Sequence, residues 1–325
     1  MASLMCCNVQ TKREDRWTNL ASVPHINATR SGFLLKSPEK VSHAKTINED
    51  NEQQQRLSHL KDFCQRRQKN HNNKTLKFGD SFIYNDKKKF VYCRIPKVAC
   101  TTWKKVVLYT LGIVDTHPVN TSLNTLYSYR MPYMKDFKND TQRIKYMQDN
   151  YFSFMLSRHP FDRLFSVYRN KFQNPVVKRA SFLHYFGPII LKVTGKNLNT
   201  HSKKIRHGIE YYDITFEEFL TFLTMGGYDA DDHWTPQTSL CQICKYEFDF
   251  IGRFEHLSLD SNKIFKLIQT DINFSISHDY KQKTTDVLKD VYSKIPRTLL
   301  LKVYQVYKYD FDAFGYHPNE YFHFL

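Results

Sequence analysis

Two short stretches hold the residue types that bind phosphate or sulfate. The first is Pro96, Lys97, Val98, Ala99, Cys100, Thr101 and Thr102, after a buried-strand pattern from Phe90 to Ile95 and before a helical pattern from Thr101 to Leu111. A turn there presents free backbone N–H groups and the positive end of a helix dipole, to which Lys97 and two hydroxyls are added. Thr101 or Thr102 sits where an N-cap belongs. The second is Arg158, His159, Pro160, Phe161, Asp162, Arg163, Leu164, Phe165 and Ser166, after an apolar run from Tyr151 to Leu156 and on a helical pattern from Phe161 to Phe172. Arg158 at a strand end and Ser166 on the helix offer a planar fork and a hydroxyl to one phosphate. Either stretch alone also reads as an ordinary strand-to-helix turn with a solvated cation.

Group transfer to a hydroxyl needs a base, and histidine titrates in the useful range. Among the 14 histidines, His117 follows the first helix and precedes the second strand, and His233 lies in Asp231-Asp232-His233-Trp234, beside an aromatic side chain. An acidic residue or another histidine is the alternative. Trp234 is read as core ahead of a sugar-stacking platform. The seven cysteines are an odd number, so at least one has no partner within the chain. Cys241-x-x-Cys244 could be half a zinc site, but no second ligand pair accompanies it, and a disulfide role is favoured in an oxidising compartment. Cys93 and Cys100 read as buried packing.

The chain has 325 residues, 41% of them hydrophobic, and a formal charge of +16. That apolar fraction is too high for a disordered chain, and no run approaches the roughly 18 apolar residues of a membrane helix. Residues 1–77 read as a polar, basic and mostly disordered stem, in which only Glu52 to Gln68 has a helical look. From residue 78 short β-type runs alternate with amphipathic helices, an α/β domain over 78–325. Helices are expected at Phe216–Thr224, Leu257–Thr270 and Pro296–Tyr307, and at Ser181–Lys192 with a kink at Pro188. The basic stretch from Lys192 to Gly208 reads as a solvated loop, or the lining of a groove for an acidic chain. The positive excess in both parts favours an anionic partner.

Pro-Lys-x-x-x-Thr after one strand and Arg-x-Pro-(x)5-Ser after a later one resemble the 5′-phosphosulfate and 3′-phosphate loops of sulfotransferases. The surrounding text is similar to the Golgi carbohydrate sulfotransferases of chondroitin, dermatan and related N-acetylgalactosamine chains. It includes Tyr92 to Thr101, Tyr168 to Phe172, His233-Trp234, Ser239 to Cys244, Phe250 to Glu255 and Lys283 to Asp286. The resemblance spans roughly 78–316 and implies a P-loop-like sulfotransferase fold, a central, mostly parallel sheet with helices on both faces. It further implies 3′-phosphoadenylyl sulfate (PAPS) as donor, without a metal, and an acidic polysaccharide or glycan acceptor, with the 4-hydroxyl of N-acetylgalactosamine as the site. Lys97, with the backbone N–H groups of residues 98–102, would stabilise the bridging oxygen and the leaving 5′-phosphate, and His117 lies in the region from which related sulfotransferases often draw their base. Two departures stand out: His159 replaces the acidic residue usual between Arg and Pro, and the family's N-terminal membrane anchor is absent from this chain.

Rival classes fit less well. Neither Gly-x-x-x-x-Gly-Lys-Ser/Thr nor Gly-x-Gly-x-x-Gly occurs, which argues against a nucleoside-triphosphatase or a dinucleotide enzyme. A metal-dependent glycosyltransferase could use Asp229-Ala230-Asp231. A non-enzymatic binder of nucleic acid or acidic polysaccharide would rest on charge alone, and no nucleic-acid motif supports it. A Golgi location follows from the resemblance, with no targeting segment visible, and sequons at Asn27, Asn73, Asn120, Asn139 and Asn273 favour a secretory route.

Overall fold

The computed structural model describes residues 51–68, 78–137, 139–173, 177–201, 203–206, 208–273 and 287–320. Most of the expected stem, the sequons at Asn27 and Asn73, and Lys283 to Asp286 lie outside the described residues. In chain order the helices are α1 (Asn51–Gln68), α2 (Cys100–Thr110), α3 (Leu123–Ser128), α4 (Thr141–Asn150), α5 (Pro160–Tyr168), α6 (Val177–Val193), α7 (Phe216–Thr224), α8 (Gln237–Leu240), α9 (Leu257–Leu267) and α10 (Arg297–Phe314). The strands are β1 (Phe82–Asn85), β2 (Phe90–Cys93), β3 (Phe152–Ser157), β4 (Lys203–Arg206), β5 (Ile209–Tyr212) and β6 (Phe250–Arg253).

Four strands form one sheet in the order β1-β2-β3-β6. The β2–β3 and β3–β6 pairs are parallel, and β1 runs antiparallel at the edge. All six residues of β3 are buried, as a parallel strand covered on both faces requires. Its Ser153 hydroxyl donates to Asp249 Oδ2 at 2.9 Å, so the polar side chain is satisfied in the interior. Beside the sheet, Trp103 of α2 packs on Phe154 and Phe265 with ring centroids 4.7 and 5.2 Å apart, and Tyr92 stacks on Phe154. Because β2 and β3 are parallel neighbours, the turns at their carboxyl ends lie side by side, the usual place for a ligand in such sheets.

Several expectations are corrected. The stretch with helical character, expected within a mostly disordered stem, is helix α1, which buries Leu60 and Phe63 in the core. Its Arg56 donates to Asp260 Oδ2 at 2.8 Å, in a pair whose side chains are 8% and 1% exposed. The folded unit therefore includes residues well before 78. Neither Thr101 nor Thr102 caps α2: the N-cap is Ala99, left-handed at φ 53°, with no side-chain cap. The helix expected from Phe161 to Phe172 is α5 followed by a π-helical turn, Arg169–Gln173. Pro188 lies inside α6. Within Lys192 to Gly208, β4 pairs with β5, and Lys203 and Lys204 are ion-paired with Glu210 and Asp213. Helix α10 runs on to Phe314, where Gly315 at φ 64° ends it in the left-handed cap that glycine tolerates.

The Cys241-x-x-Cys244 pair is split between two disulfides, Cys93–Cys241 and Cys64–Cys244. Cys93 is thus a cross-link rather than simple packing. Cys100 is a free thiol, half-buried.

Candidate functional site

The first turn carries two consecutive signs of a cradle. Lys97 and Ala99 are both left-handed, at φ 70° and 53°, on either side of the fully buried Val98. Such positions cost non-glycine residues about 1 kcal/mol or more and cluster at ligand clamps. Val98 N–H donates to Ile95 O at 3.2 Å, so it is withdrawn from the set of donors expected over residues 98–102. The N–H groups of Cys100, Thr101 and Thr102 fall in the first turn of α2, where a helix provides no acceptor. Thr101, Thr102 and Lys97 are half-buried, with Pro96 beneath them in the interior.

The second turn is locked to the first. Arg158, only 7% exposed, donates from Nη1 to Lys97 O at 2.9 Å, and its guanidinium lies 4.2 Å from the Phe254 ring centre. Its Nε is buried without a partner, so a charged donor beside Lys97 remains for an anionic oxygen. That orphaned donor, and the free N–H groups at the start of α2, suit an anionic ligand. Ser166, on α5, is half-buried. Between them, the side chains of Phe161, Leu164 and Phe165 belong to the core, with at most 3% exposure. Asp162 and Pro160 are buried as well.

Arg163 is 1% exposed and spends its fork on three carbonyls: Pro96 O at 3.1 Å, Thr235 O at 2.8 Å and Asp232 O at 3.0 Å. It serves the backbone, not a phosphate. His159 has no exposed surface and packs edge-on to Phe311 and Tyr316. Its backbone N–H donates to Glu255 Oε1 at 2.8 Å, and its Nε2–H donates to His317 O at 3.2 Å. Burial pushes its pKa down to about 3, so the ring is neutral at physiological pH.

The two histidines proposed as bases end up in different places. His233 Nδ1 lies 2.5 Å from Asp231 Oδ1, which also accepts the His233 backbone N–H at 2.8 Å. A carboxylate acceptor fixes the proton on Nδ1 and leaves Nε2 with its lone pair. Burial lowers the His233 pKa, opposed by Asp231 and assisted by Lys171 and Arg94. Burial raises the Asp231 carboxyl, but the histidine outweighs it and the net shift is downward. Neighbouring Asp232 accepts from Arg94 at 2.9 Å, next to the first turn. Burial, and then Arg94, depress the Lys104 ammonium on the first turns of α2. His117, in contrast, packs on Tyr109 near the carboxyl end of α2. A helix of that length is about 16 Å long, so His117 is remote from the turn at the other end. Trp234 is core: it has no exposed surface, donates to Gly227 O at 2.8 Å and sits among Phe186 and Phe219.

Sequence reasoning missed Gln237, Arg94 and Lys104. Gln237 carries no sequence signal, whereas Arg94 and Lys104 could have been found as cations flanking the first turn. Among the described residues no group of three or more His, Cys, Asp or Glu side chains is placed to hold a metal ion. No described helix is long and apolar enough to cross a membrane.

A family model described as "Sulfotransferase family" matches residues 80–317, enclosing both turns and the His233 segment. The chain belongs to the sulfotransferase family. Sulfotransferases of this kind are enzymes that use PAPS as donor. The chain is similar to carbohydrate sulfotransferase 11 of Rattus norvegicus, 29% identical over 255 residues, which is 73% of this chain and 67% of that protein. It is also similar to carbohydrate sulfotransferase 14 of Homo sapiens, at 29% over 246 residues (72% and 59%), and to carbohydrate sulfotransferase 12 of Mus musculus, at 25% over 297 residues (83% and 70%). The matched part thus spans between about three fifths and seven tenths of these relatives. No solved structure matches the chain.

Proposed function

We propose that this chain moves the sulfuryl group of PAPS to a hydroxyl of an acidic glycan, the 4-hydroxyl of N-acetylgalactosamine in chondroitin- or dermatan-type chains. The observation that carries the reading is the bond from Arg158 Nη1 to Lys97 O, 2.9 Å long, which joins the two anion-binding turns at adjacent strand ends. In this reading Lys97, with the N–H groups of residues 99–102, holds the 5′-phosphosulfate in a P-loop-like turn. Arg158 and Ser166 hold the 3′-phosphate. The donor supplies an activated sulfuryl group and a phosphate leaving group.

The residues of the chain must align the acceptor and manage charge and protons. His233 Nε2 takes the acceptor hydroxyl proton as the oxygen–sulfur bond forms, and Asp231 stabilises the resulting imidazolium. Lys97 neutralises charge on the departing phosphate oxygen as the old bond breaks. His233 is preferred to His117 because it is backed by a carboxylate and lies on the segment tied to the first turn. Arg94 and Lys104 give the site a positive rim suited to an acidic acceptor. The two disulfides fit a secretory compartment, and with the resemblance support the Golgi lumen.

The deciding experiment is transfer of radiolabelled sulfate from PAPS to desulfated polysaccharides, with Lys97→Ala alongside. Incorporation into chondroitin or dermatan, lost in the variant, is the expected result. Donor-independent, salt-sensitive polysaccharide binding without transfer would instead mark a binding protein.

A further inference from the structure

We propose that Arg163 is a positioning residue that sets the geometry between the donor turn and the histidine segment; the inference rests on the donor reading above. Its guanidinium reaches Pro96 O, the carbonyl just before Lys97, and the carbonyls of Asp232 and Thr235, which bracket His233. One rigid planar group therefore measures the separation of the leaving-group cation and the base. Both ends of that measurement are main-chain atoms, so the side chains of Lys97 and His233 remain available for chemistry.

Energetics argue that this is more than packing. The residue is 1% exposed; no close ion pair to it occurs among the described residues, and the buried Asp310 attracts it only from beyond that distance. Burying a guanidinium is costly, and an apolar side chain of similar volume commonly serves stability as well or better. What an apolar residue cannot do is satisfy three carbonyls while holding their directions. Lysine keeps the charge but not the planar fork, so it cannot hold all three in that arrangement. Arg163 also lies five residues after Arg158 on the same turn and helix, so both donor-binding turns and the histidine segment meet on α5.

The test uses adenosine 3′,5′-bisphosphate, the desulfated donor product, and hydrogen exchange of the full chain. In the wild type, the bisphosphate should slow exchange in the donor turn and also over residues 231–236. In Arg163→Lys, calorimetry should still give one bisphosphate per chain, with an affinity within a factor of about three, while the protection of 231–236 is lost. The same variant should show kcat lowered about 100-fold, with the KM for PAPS changed less than about threefold, as expected when reacting groups shift by about an ångström. The binding stoichiometry separates this from a smaller folded fraction. Bisphosphate that binds the wild type without protecting 231–236 overturns the role of Arg163, as does a folded Arg163→Lys enzyme with wild-type kcat. Bisphosphate that fails to bind the wild type overturns the donor reading, and the inference with it. The wild-type exchange arm needs no variant to fold.

Discussion

Gln237 grips Arg158 at two points: Gln237 Oε1 accepts the Arg158 backbone N–H at 2.9 Å, and Gln237 Nε2 donates to Arg158 O at 2.8 Å. A fully buried side chain thus does at the end of β3 what another strand would do. Its own position is fixed by Asp310, which accepts the backbone N–H groups of Gln237 and Thr238 at 2.8 and 2.9 Å. Gln237→Glu places a second acceptor against Arg158 O. The variant should lose roughly 2–4 kcal/mol of stability and a comparable part of its donor affinity. Chemical denaturation and bisphosphate titration measure the two, and a variant with neither loss would remove Gln237 from the site.

Lys97 and Arg158 should fail differently. Lys97 is half-buried, so Lys97→Ala is expected to leave the melting temperature close to wild type while kcat falls by about 10²–10³. Arg158 is interior and bonded to Lys97 O, so Arg158→Ala should lose donor affinity and also about 1–3 kcal/mol of stability. Full transfer by the folded double variant would refute the assignment of both turns.

The pH profile follows from the environment of His233. A base works deprotonated, and burial holds this pKa below its ordinary 6.5. The rate should therefore be flat through neutrality and fall on the acid side, below 6.5. Asp231→Asn removes the group that raises this pKa, so the acid limb should move to still lower pH. Loss of the fixed tautomer should at the same time reduce kcat about 100-fold. An unchanged limb in Asp231→Asn would point to a different base.

His159 makes a separate prediction, about stability. Its pKa is about 3 in the folded chain against 6.5 for an ordinary histidine, so the unfolded chain binds the extra proton first. Stability from this group is complete above 6.5 and declines as pH falls toward 3, by up to about 1.4 kcal/mol per pH unit. His159→Gln should flatten the dependence of denaturation midpoint on pH between 6.5 and 4. Parallel curves for the two proteins would show that His159 does not titrate in this way.

Reduction should weaken the site along with the fold. Cys93 ends β2, just ahead of the turn that carries Lys97, and Cys241 closes the short helix that begins with Gln237. Cys241→Ser should cost about 2–5 kcal/mol, a typical loss for a native disulfide. Bisphosphate affinity should fall with it, because the strand end and the Gln237 segment are no longer clasped. Cys244→Ser should cost similar stability but leave that affinity nearly unchanged, since its partner Cys64 lies on α1. Equal affinity losses in the two variants would remove the distinction.

The parts written in local sequence were legible. Strand, turn and helix follow one another at Phe90 and again at Phe152, and the apolar spacing on α7 and α9 marked both helices. What depended on distant partners was not. Helix α1 is mostly polar, and its place is set by Arg56 with Asp260 and by Cys64 with Cys244, far along the chain. The same holds for Arg163, whose three carbonyl partners become neighbours only when the sheet forms. Ala99 was missed as a cap because its left-handed backbone has no side-chain signature. The β4–β5 pair was hidden because its lysines suggested a solvated loop, while their acids, Glu210 and Asp213, lie on and just after the returning strand.

The two disulfides span 180 and 148 residues, and each ends in the segment from Cys241 to Cys244. During synthesis Cys64 and Cys93 therefore emerge long before their partners exist, alongside the unpaired Cys100, and any bond among the three is wrong. The order of translation works against the native pairing. The chain must be kept reduced, or be reshuffled, until residue 244 has been made, so a cell that produces this enzyme in quantity has to supply thiol–disulfide exchange along with the oxidant.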